Sequence, residues 1–266
     1  MFPILVRIGP LTVHTYGLLL AVGVGLGLWF LYVQARKQGL DAPRIMDAAF
    51  YTIIVSLIGA KLILFFGSLS FYLENPRELF SLARSGGVFQ GGLTFGVVFA
   101  LWYFYKKKIP TWRTADIIGP ALALGHGFGR IGCFSAGCCY GTECALPWGT
   151  VFNNAYGHQL TGIPLNIPLH PVQLYEAALN FLNFGILFWA LKRKTYHGQV
   201  FVLYIINYSI IRFVTEFFRG DHPDKAYLIH GASALTSLSY SQVFSIVGLA
   251  GGLILSLFLK KNRVDA

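Results

Sequence analysis

Seven apolar runs, each close to the length that crosses a lipid bilayer, constrain the fold of this chain more than any other feature. They are residues 16–33, 48–67, 91–105, 115–134, 172–191, 199–218 and 243–259. A transmembrane helix needs about 20 mostly apolar residues. The pattern therefore predicts an all-α polytopic membrane protein with seven transmembrane helices, which form a single integral membrane domain over residues 1–266.

The composition agrees with lipid as the main solvent of this surface. Hydrophobic residues make up 55% of the chain and charged residues only 12%, whereas a typical globular domain is about 25% charged. These values exclude a disordered chain, a coiled coil and an ordinary water-soluble domain. The formal net charge of +10 does not indicate a nucleic-acid partner, because the basic residues form short clusters between apolar runs. Such clusters are typical of loops beside anionic membrane lipids.

The distribution of basic residues predicts the orientation of the helices, because cytoplasmic loops are enriched in Lys and Arg. The richer set of loops contains Arg36, Lys37, Arg44, Lys106, Lys107, Lys108, Arg113, Lys192, Arg193, Lys194, Lys260, Lys261 and Arg263. The opposite loops contain Arg7, Arg77, Arg84, Arg219 and Lys225. We therefore expect the N-terminus outside and the C-terminus in the cytoplasm. Residues 140–171, which contain no Lys or Arg, should then form an external loop or small cap between helices 4 and 5.

Charged residues inside the apolar runs are the main functional signal. Arg130, Arg212 and Glu216 lie within these runs, where a charge costs about 2.5–3.5 kcal/mol unless it faces a partner or a cavity. Arg212 and Glu216 are four residues apart, so one interpretation is a structural ion pair on one helix face. The other interpretation is a polar cavity that binds an anion. Since the donors of a guanidinium match a phosphate, two arginines in a lipid-facing protein favour a phospholipid headgroup.

Small residues at helical spacing predict close helix packing. The pairs are Gly23 with Gly27 in the first run and Gly248 with Gly252 in the last.

Several short motifs occur in order along the whole chain. They are Ile8-Gly9-Pro10 followed by His14-Thr15-Tyr16-Gly17, then Gly91-Gly92-Leu93, Gly129-Arg130-Ile131-Gly132 through Gly141, His170-Pro171-Val172-Gln173-Leu174-Tyr175-Glu176, and Arg212-Phe213-Val214-Thr215-Glu216-Phe217-Phe218-Arg219. In these motifs the chain resembles the bacterial prolipoprotein diacylglyceryl transferase family. The seven-helix topology with an external N-terminus is also that of the family.

The resemblance implies an enzyme of the bacterial cytoplasmic (inner) membrane that catalyses the first step of lipoprotein maturation. The family transfers the diacylglyceryl group of phosphatidylglycerol to the lipobox cysteine thiol in the signal peptide of a prolipoprotein, and releases glycerol phosphate. We expect membrane lipids as further partners, and no cofactor or metal.

The resemblance also implies roles for individual residues. Phosphatidylglycerol would be bound by Arg130, Gly141, His170 and Gln173, and the catalytic group would consist of Arg212, Glu216, Tyr16, Tyr175 and Gln90. Within this set, Arg212 would stabilise the phosphate.

Three positions depart from the family motifs. Gln90 replaces the His that precedes Gly-Gly-Leu, Cys133 replaces the Asn of the signature, and Cys138 replaces its Glu. An amide cannot act as a general base near neutral pH, so the base is another residue, such as His126 or His170, or the arginine field favours the thiolate. A paralogue that uses a different lipid or thiol acceptor is a further interpretation.

All four cysteines of the chain, Cys133, Cys138, Cys139 and Cys144, fall within 12 residues. The transferase interpretation does not predict this cluster. Disulfides after helix 4, unpaired packing thiols and a metal site are alternatives, although the spacing matches no common zinc pattern. The rival function is a membrane thiol-disulfide oxidoreductase, which would leave Arg130, Arg212 and Glu216 without a role.

Overall fold

The computed structural model describes residues 2–9, 11–79, 86–221, 227–229 and 238–261. In these ranges the helices are α1 (Thr15–Lys37), α2 (Ala42–Gly67), α3 (Leu69–Glu74), α4 (Phe89–Lys107), α5 (Thr111–Ala136), α6 (Ala155–Thr161), α7 (Val172–Leu191), α8 (Gln199–Glu216) and α9 (Tyr240–Lys261). A 3₁₀ turn covers Pro76–Glu78. The strands form three antiparallel pairs: β1 (Ile4–Ile8) with β2 (Leu11–His14), β3 (Thr150–Val151) with β4 (Pro168–Leu169), and β5 (Tyr227–Ile229) with β6 (Leu238–Ser239).

The predicted helical character is confirmed, and four helices are long and apolar enough to cross a membrane. These are α1, α2, α7 and α9. The other three predicted runs, 91–105, 115–134 and 199–218, coincide largely with α4, α5 and α8. Of the basic residues used to predict orientation, Arg84, Lys225 and Arg263 lie outside the described residues.

Helix α7 shows how the fold separates polar from apolar side chains. Its buried face carries Gln173, Glu176, Asn180 and Asn183, which follow the three- and four-residue spacing of one helix face. The exposed side chains of the same helix include Leu182, Ile186 and Trp189. Polar groups inside and apolar groups outside are what a lipid environment requires, because buried polar residues of membrane helices face the protein interior.

The chain divides into two compact units: residues Leu31–Thr114 form one, and residues Met1–Phe30 with Ala115–Ala266 form the other. Inside the first, α2 and α4 pack closely because small residues line their contact. A Cβ atom at Gly59 would lie 2.6 Å from Cγ of Phe95, and one at Gly91 would lie 2.7 Å from the Gly59 carbonyl oxygen. Close approach of this kind is typical of membrane helices.

The close packing predicted for the two glycine pairs is confirmed in the other unit. A Cβ atom at Gly23 would lie 2.9 Å from the carbonyl oxygen of Gly125 on α5, and one at Gly27 would lie 3.1 Å from that of Ala121. A Cβ atom at Gly248 on α9 would lie 2.7 Å from the Ser209 hydroxyl of α8, and one at Gly252 would contact Ile206.

A fully buried carboxylate, Asp116 near the start of α5, fixes the start of α8. Asp116 accepts backbone hydrogen bonds from Gly198 and Val200, both at 2.9 Å, and from Phe201 at 3.2 Å. It also forms an ion pair of 3.0 Å with Lys194. The first N–H groups of a helix lack partners within the helix, and an acceptor at this end also complements the helix dipole. Asp116 therefore joins α5 to the N-terminus of α8.

Residues 140–171, predicted to form an external loop or small cap, contain regular secondary structure. They include the β3–β4 pair and the short helix α6, whose N-cap Asn154 accepts a hydrogen bond of 3.0 Å from the backbone of Gly157. Phe152, Ile163 and Leu169 form a small buried core beneath them. The buried core, against which Phe134, Tyr140 and Ile167 also pack, and the N-cap of α6 together stabilise this segment locally.

We expect Gly23→Ala to destabilise the fold and Gly25→Ala to leave it unchanged or slightly more stable. Both glycines lie on α1, but an added methyl group at Gly23 meets α5, whereas one at Gly25 meets no described atom within 4 Å. Overpacking costs about 1–3 kcal/mol, whereas Ala is favoured over Gly in a helix by about 1 kcal/mol. Thermal unfolding of the two variants in the same detergent measures the difference. Equal melting temperatures would contradict the close packing of α1 on α5.

Candidate functional site

Glu176 on α7 lies between two arginines from two other helices. One carboxylate oxygen contacts Nε of Arg130 on α5. The other accepts a hydrogen bond of 3.2 Å from Nη1 of Arg212 on α8. Glu176 is only 2% exposed, and the two arginine side chains are 12% and 14% exposed. The two arginines that the sequence placed inside apolar runs therefore share one buried counterion.

The ion pair predicted from the spacing of Arg212 and Glu216 also forms, with a distance of 2.7 Å between Nη2 and Oε2. Neighbouring hydroxyl groups complete the network. Thr215 donates to Glu176 at 3.0 Å, and Ser239 donates to the other Glu216 oxygen at 2.7 Å. Ser241 accepts from Arg212 at 2.9 Å. The pair is thus one part of a larger cluster and not an isolated structural contact.

The cluster has more donors than acceptors. Two guanidinium groups carry ten N–H donors, whereas two carboxylates offer only about eight lone-pair sites. The hydroxyl groups of Thr215 and Ser239 already occupy two of these sites, and Ser241 adds one acceptor. Within the described residues, these contacts engage Nε of Arg130 and Nη1 and Nη2 of Arg212, so further N–H groups of the two guanidiniums can serve another acceptor. A phosphate group, with its anionic oxygens, suits such donors.

Glu176 is the functional residue that sequence reasoning did not include in its predicted site. In the sequence it is the last residue of the motif that opens α7. In the structure it lies beyond the first turn of α7 and faces the two arginines. The available signal was an acid inside an apolar run, since such a charge requires a buried partner.

His170 and Tyr175 lie together in an aromatic group at the start of α7. Nδ1 of His170 is 3.3 Å from the Tyr175 hydroxyl, which also accepts a hydrogen bond of 2.8 Å from the indole of Trp148. The Phe218 ring lies 5.3 Å from that of His170 and 6.2 Å from that of Tyr175. Trp148 was not predicted, because a Trp in a loop carries no distinct sequence signal.

Gly141 and Gln173 contact neighbouring segments where the chain continues after α5. A Cβ atom at Gly141 would collide with His170 and would lie 2.8 Å from the Phe218 carbonyl oxygen. The Gln173 amide nitrogen donates to the Cys138 carbonyl at 2.8 Å. The Gln173 amide oxygen is buried and has no hydrogen-bond partner among the described residues. A buried acceptor of this kind is rare without a ligand or water, so this oxygen is suited to a donor on a bound molecule.

Tyr16 begins α1, and its ring packs on α5, where a Cβ atom at Gly132 would lie 3.1 Å from the ring. The residue is 39% exposed. Gln90 belongs to α4 in the other unit, and its side chain is exposed. The catalytic role of Gln90 stays a prediction.

His126 and Arg219, which adjoin the predicted site in sequence, have partners of their own. The His126 ring stacks on Tyr208 of α8 at 5.0 Å. Arg219, just past α8, binds Asp221 with two hydrogen bonds of 2.8 and 2.6 Å. Burial disfavours the charge on Arg219, but the hydrogen bonds and the negative charge of Asp221, together with nearby negative charge such as that of Glu176, outweigh this effect and raise the pKa of Arg219.

Three of the four cysteines lie together. The Sγ atoms of Cys133, Cys138 and Cys139 are all within 4.8 Å of one another, and these side chains are half-buried. All four cysteines are free thiols, and Cys144 is buried. The Cys138 thiol donates a hydrogen bond of 3.8 Å to the backbone carbonyl of Cys133.

This geometry defines a membrane protein with a buried site in which two arginines and two carboxylates form one network, and comparison with known proteins identifies the family. The family model for prolipoprotein diacylglyceryl transferase matches residues 3–258. A phosphatidylglycerol–prolipoprotein diacylglyceryl transferase of Clostridium tetani is 33% identical, over 93% of this chain and 94% of its own length. A protein of the same name from Aliivibrio fischeri is 34% identical, over 99% of this chain and 89% of its own length. One from Coxiella burnetii is 35% identical, over 86% of both chains.

The chain belongs to the prolipoprotein diacylglyceryl transferase family. The resemblance seen in the sequence motifs is thereby confirmed.

We expect Glu176→Gln to lower the free energy of unfolding by about 3–5 kcal/mol, because it leaves two buried guanidiniums without their shared counterion. Chemical denaturation in detergent micelles measures the change. Glu143→Gln is the matched control: Glu143 is exposed, and a surface substitution usually changes stability by less than about 0.5 kcal/mol. A similar effect in both variants would show that the Glu176 carboxylate does not hold the cluster together.

Proposed function

We propose that this protein transfers the diacylglyceryl group of phosphatidylglycerol to the lipobox cysteine of prolipoproteins and releases glycerol phosphate. Membership of the family supports this activity. The observation that carries it is the Arg130–Glu176–Arg212 cluster, which provides spare guanidinium donors where a phospholipid headgroup would lie.

The reaction increases negative charge on the phosphate. As the bond between the glyceryl carbon and the phosphate oxygen breaks, a phosphodiester with one charge becomes a phosphomonoester with two. Guanidinium donors placed before the reaction stabilise that extra charge without reorganisation. Arg130 binds the phosphate of the lipid, and Arg212 stabilises the leaving glycerol phosphate. Glu176 and Glu216 hold both guanidiniums in place.

The remaining predicted site residues surround this cluster and have supporting roles. The unpartnered Gln173 oxygen accepts a hydrogen bond from a glycerol hydroxyl of the headgroup. His170 and Tyr175 supply polar atoms at the outer end of α7. Gly141 allows the backbone after α5 to approach His170, and Tyr16 closes the side next to Gly132.

The placement in the membrane follows the family and the charge pattern. Together with the four apolar candidates, helices α4, α5 and α8 complete seven passes. Their polar residues, such as Arg130 and Arg212, face protein partners, which lowers their apparent hydropathy without excluding a membrane location. The N-terminus is external, residues 140–171 form an external cap, and the protein is a multi-pass component of the bacterial inner membrane.

The thiol-disulfide oxidoreductase alternative is less well supported. It gives no role to Arg130, Arg212 and Glu216, which form a common network. Complementation tests both proposals and also the paralogue interpretation. We expect the protein to restore growth and lipoprotein lipidation in a bacterial strain depleted of its own transferase. Failure of a stably expressed, membrane-inserted protein would contradict the proposed function.

We expect Arg130→Ala and Arg212→Ala each to reduce transfer by at least about 10²–10³-fold, the usual effect of removing one donor to a developing negative charge. The assay uses phosphatidylglycerol and a lipobox peptide, with membrane insertion checked separately. Arg44→Ala is the control, because Arg44 forms an exposed ion pair with Asp41 and should not affect the rate. Full activity of both cluster variants would exclude the phosphate site.

We expect Gln90→His to be tolerated or to accelerate transfer, by up to about 10²-fold, because it restores the residue of the family motif and a general base contributes at least that factor. The same assay measures the rate. Complete inactivation of the folded variant would mean that this position has been adapted to another task.

A further inference from the structure

The thiols of Cys133, Cys138 and Cys139 form a compact group. Neither the helix packing described above nor the proposed phospholipid binding assigns a role to these thiols. Their Sγ atoms lie within 4.8 Å of one another. Three thiolates bound to zinc at ~2.3 Å in tetrahedral geometry are about 3.8 Å apart, so small rotations of these side chains suffice. The sequence spacing matched no common zinc pattern, because Cys133 lies in the last turn of α5 whereas Cys138 and Cys139 lie in the turn that follows it.

The backbone that creates this group is fixed by several contacts. Helix α5 ends at Ala136, and the turn continues through Gly137 and Cys139, which both have positive φ values, 84° and 59°. A positive φ at a cysteine is uncommon, and such conformations concentrate at functional sites. Gln173 donates to the Cys138 carbonyl, and Thr161 donates to the Gly137 carbonyl at 3.1 Å. The chain is therefore preorganised to present three sulfur atoms.

The position of the group relates it to the phosphate site. Cys133 follows Arg130 by three residues on α5, so both side chains lie on one helix face. The Tyr16 ring packs against Gly132, the residue between Ile131 and Cys133 on the same helix. Any ion held by these sulfur atoms would be next to the proposed binding site of phosphatidylglycerol.

We propose that Cys133, Cys138 and Cys139 bind one zinc ion, whose fourth position takes the acceptor thiol of the prolipoprotein. The metal claim stands on the three sulfur atoms, and its catalytic role rests on the proposed function. Three protein ligands with an open fourth position are typical of zinc sites that activate a bound group. Three thiolates and Zn²⁺ carry a net charge of −1, and the guanidiniums of Arg130 and Arg219, each also paired with a carboxylate, add favourable positive charge nearby.

A bound zinc ion would favour deprotonation of the acceptor thiol, which the amide of Gln90 cannot do as a base. A free thiol has a pKa of about 8.5 and is mostly protonated at neutral pH, whereas a thiol that coordinates a metal ion is deprotonated. The acceptor thiol displaces the zinc-bound water and releases its proton to solvent. Its sulfur then attacks the glyceryl carbon: a C–S bond forms, the C–O bond to phosphate breaks, and the electron pair leaves with glycerol phosphate. No group is oxidised or reduced, and water replaces the thioether on zinc.

Metal analysis of the full-length protein, purified in detergent under reducing and chelator-free conditions, tests the site. We expect about one zinc per chain in the native protein and in Cys144→Ser, since the Cys144 thiol is outside the group. Cys133→Ser and Cys139→Ser should lose the zinc. Cys139→His should retain it, because imidazole is a zinc ligand and His tolerates a positive φ better than most residues.

Cd²⁺ added without oxygen provides a second measurement, the sulfur-to-metal charge-transfer absorption, which should appear in the native protein and not in Cys133→Ser. A native protein that binds neither metal, or that has a disulfide among these cysteines after reducing purification, would overturn the site.

The pH dependence of transfer tests the role of the metal. We expect the native rate to change little between pH 8.5 and 7, whereas the zinc-free Cys139→Ser protein should lose about tenfold per pH unit in this range, as the acceptor thiol becomes protonated. Equal profiles would overturn the catalytic role alone. A zinc-loaded protein without transfer activity would instead contradict the proposed function.

Discussion

The shared counterion Glu176 is the interaction on which the rest of this structure depends. Two arginines buried among apolar helices repel each other, and the local pair of Arg212 with Glu216 leaves Arg130 to be neutralised from another helix. One carboxylate from a third helix resolves both problems. Because a single buried charge is expensive while a hydrogen-bonded cluster is tolerated, the helices α5, α7 and α8 can associate only in an arrangement that brings these groups together. The contacts that hold these helices together therefore also position the guanidinium groups of the candidate anion site.

The sequence predicted this fold well wherever one physical requirement dominated. Apolar runs of bilayer length predicted the positions of the long helices, because few other structures use such runs. The Gly23 and Gly248 pairs predicted close helix contacts, which the structure contains. The importance of Arg130 and Arg212 was predictable from the cost of charge in an apolar segment. In contrast, the shared partner was not predictable, because the spacing of Arg212 and Glu216 suggested a simpler local pair, and Glu176 lies on a helix that is distant in sequence.

The cysteine group shows why the remaining details could not be predicted. Its geometry depends on the positive φ values of Gly137 and Cys139 and on contacts from α6 and α7, none of which has a sequence signature. From spacing alone, disulfides, packing thiols and a metal site were all open alternatives. Only the spatial arrangement separates Cys144 from the other three cysteines.

The contact of Asp116 with the start of α8 also affects the candidate site. Asp116 lies 14 residues before Arg130 on α5, and its hydrogen-bond partner Val200 lies 12 residues before Arg212 on α8. With a rise of about 1.5 Å per residue, these lengths are about 21 and 18 Å. Helices α5 and α8 are thus connected at two levels, by Asp116 at one end and through Glu176 at the site. Two separate connections oppose a shift of one helix along the other, so the hydrogen bonds of Asp116 help to fix the positions of the two guanidiniums relative to each other.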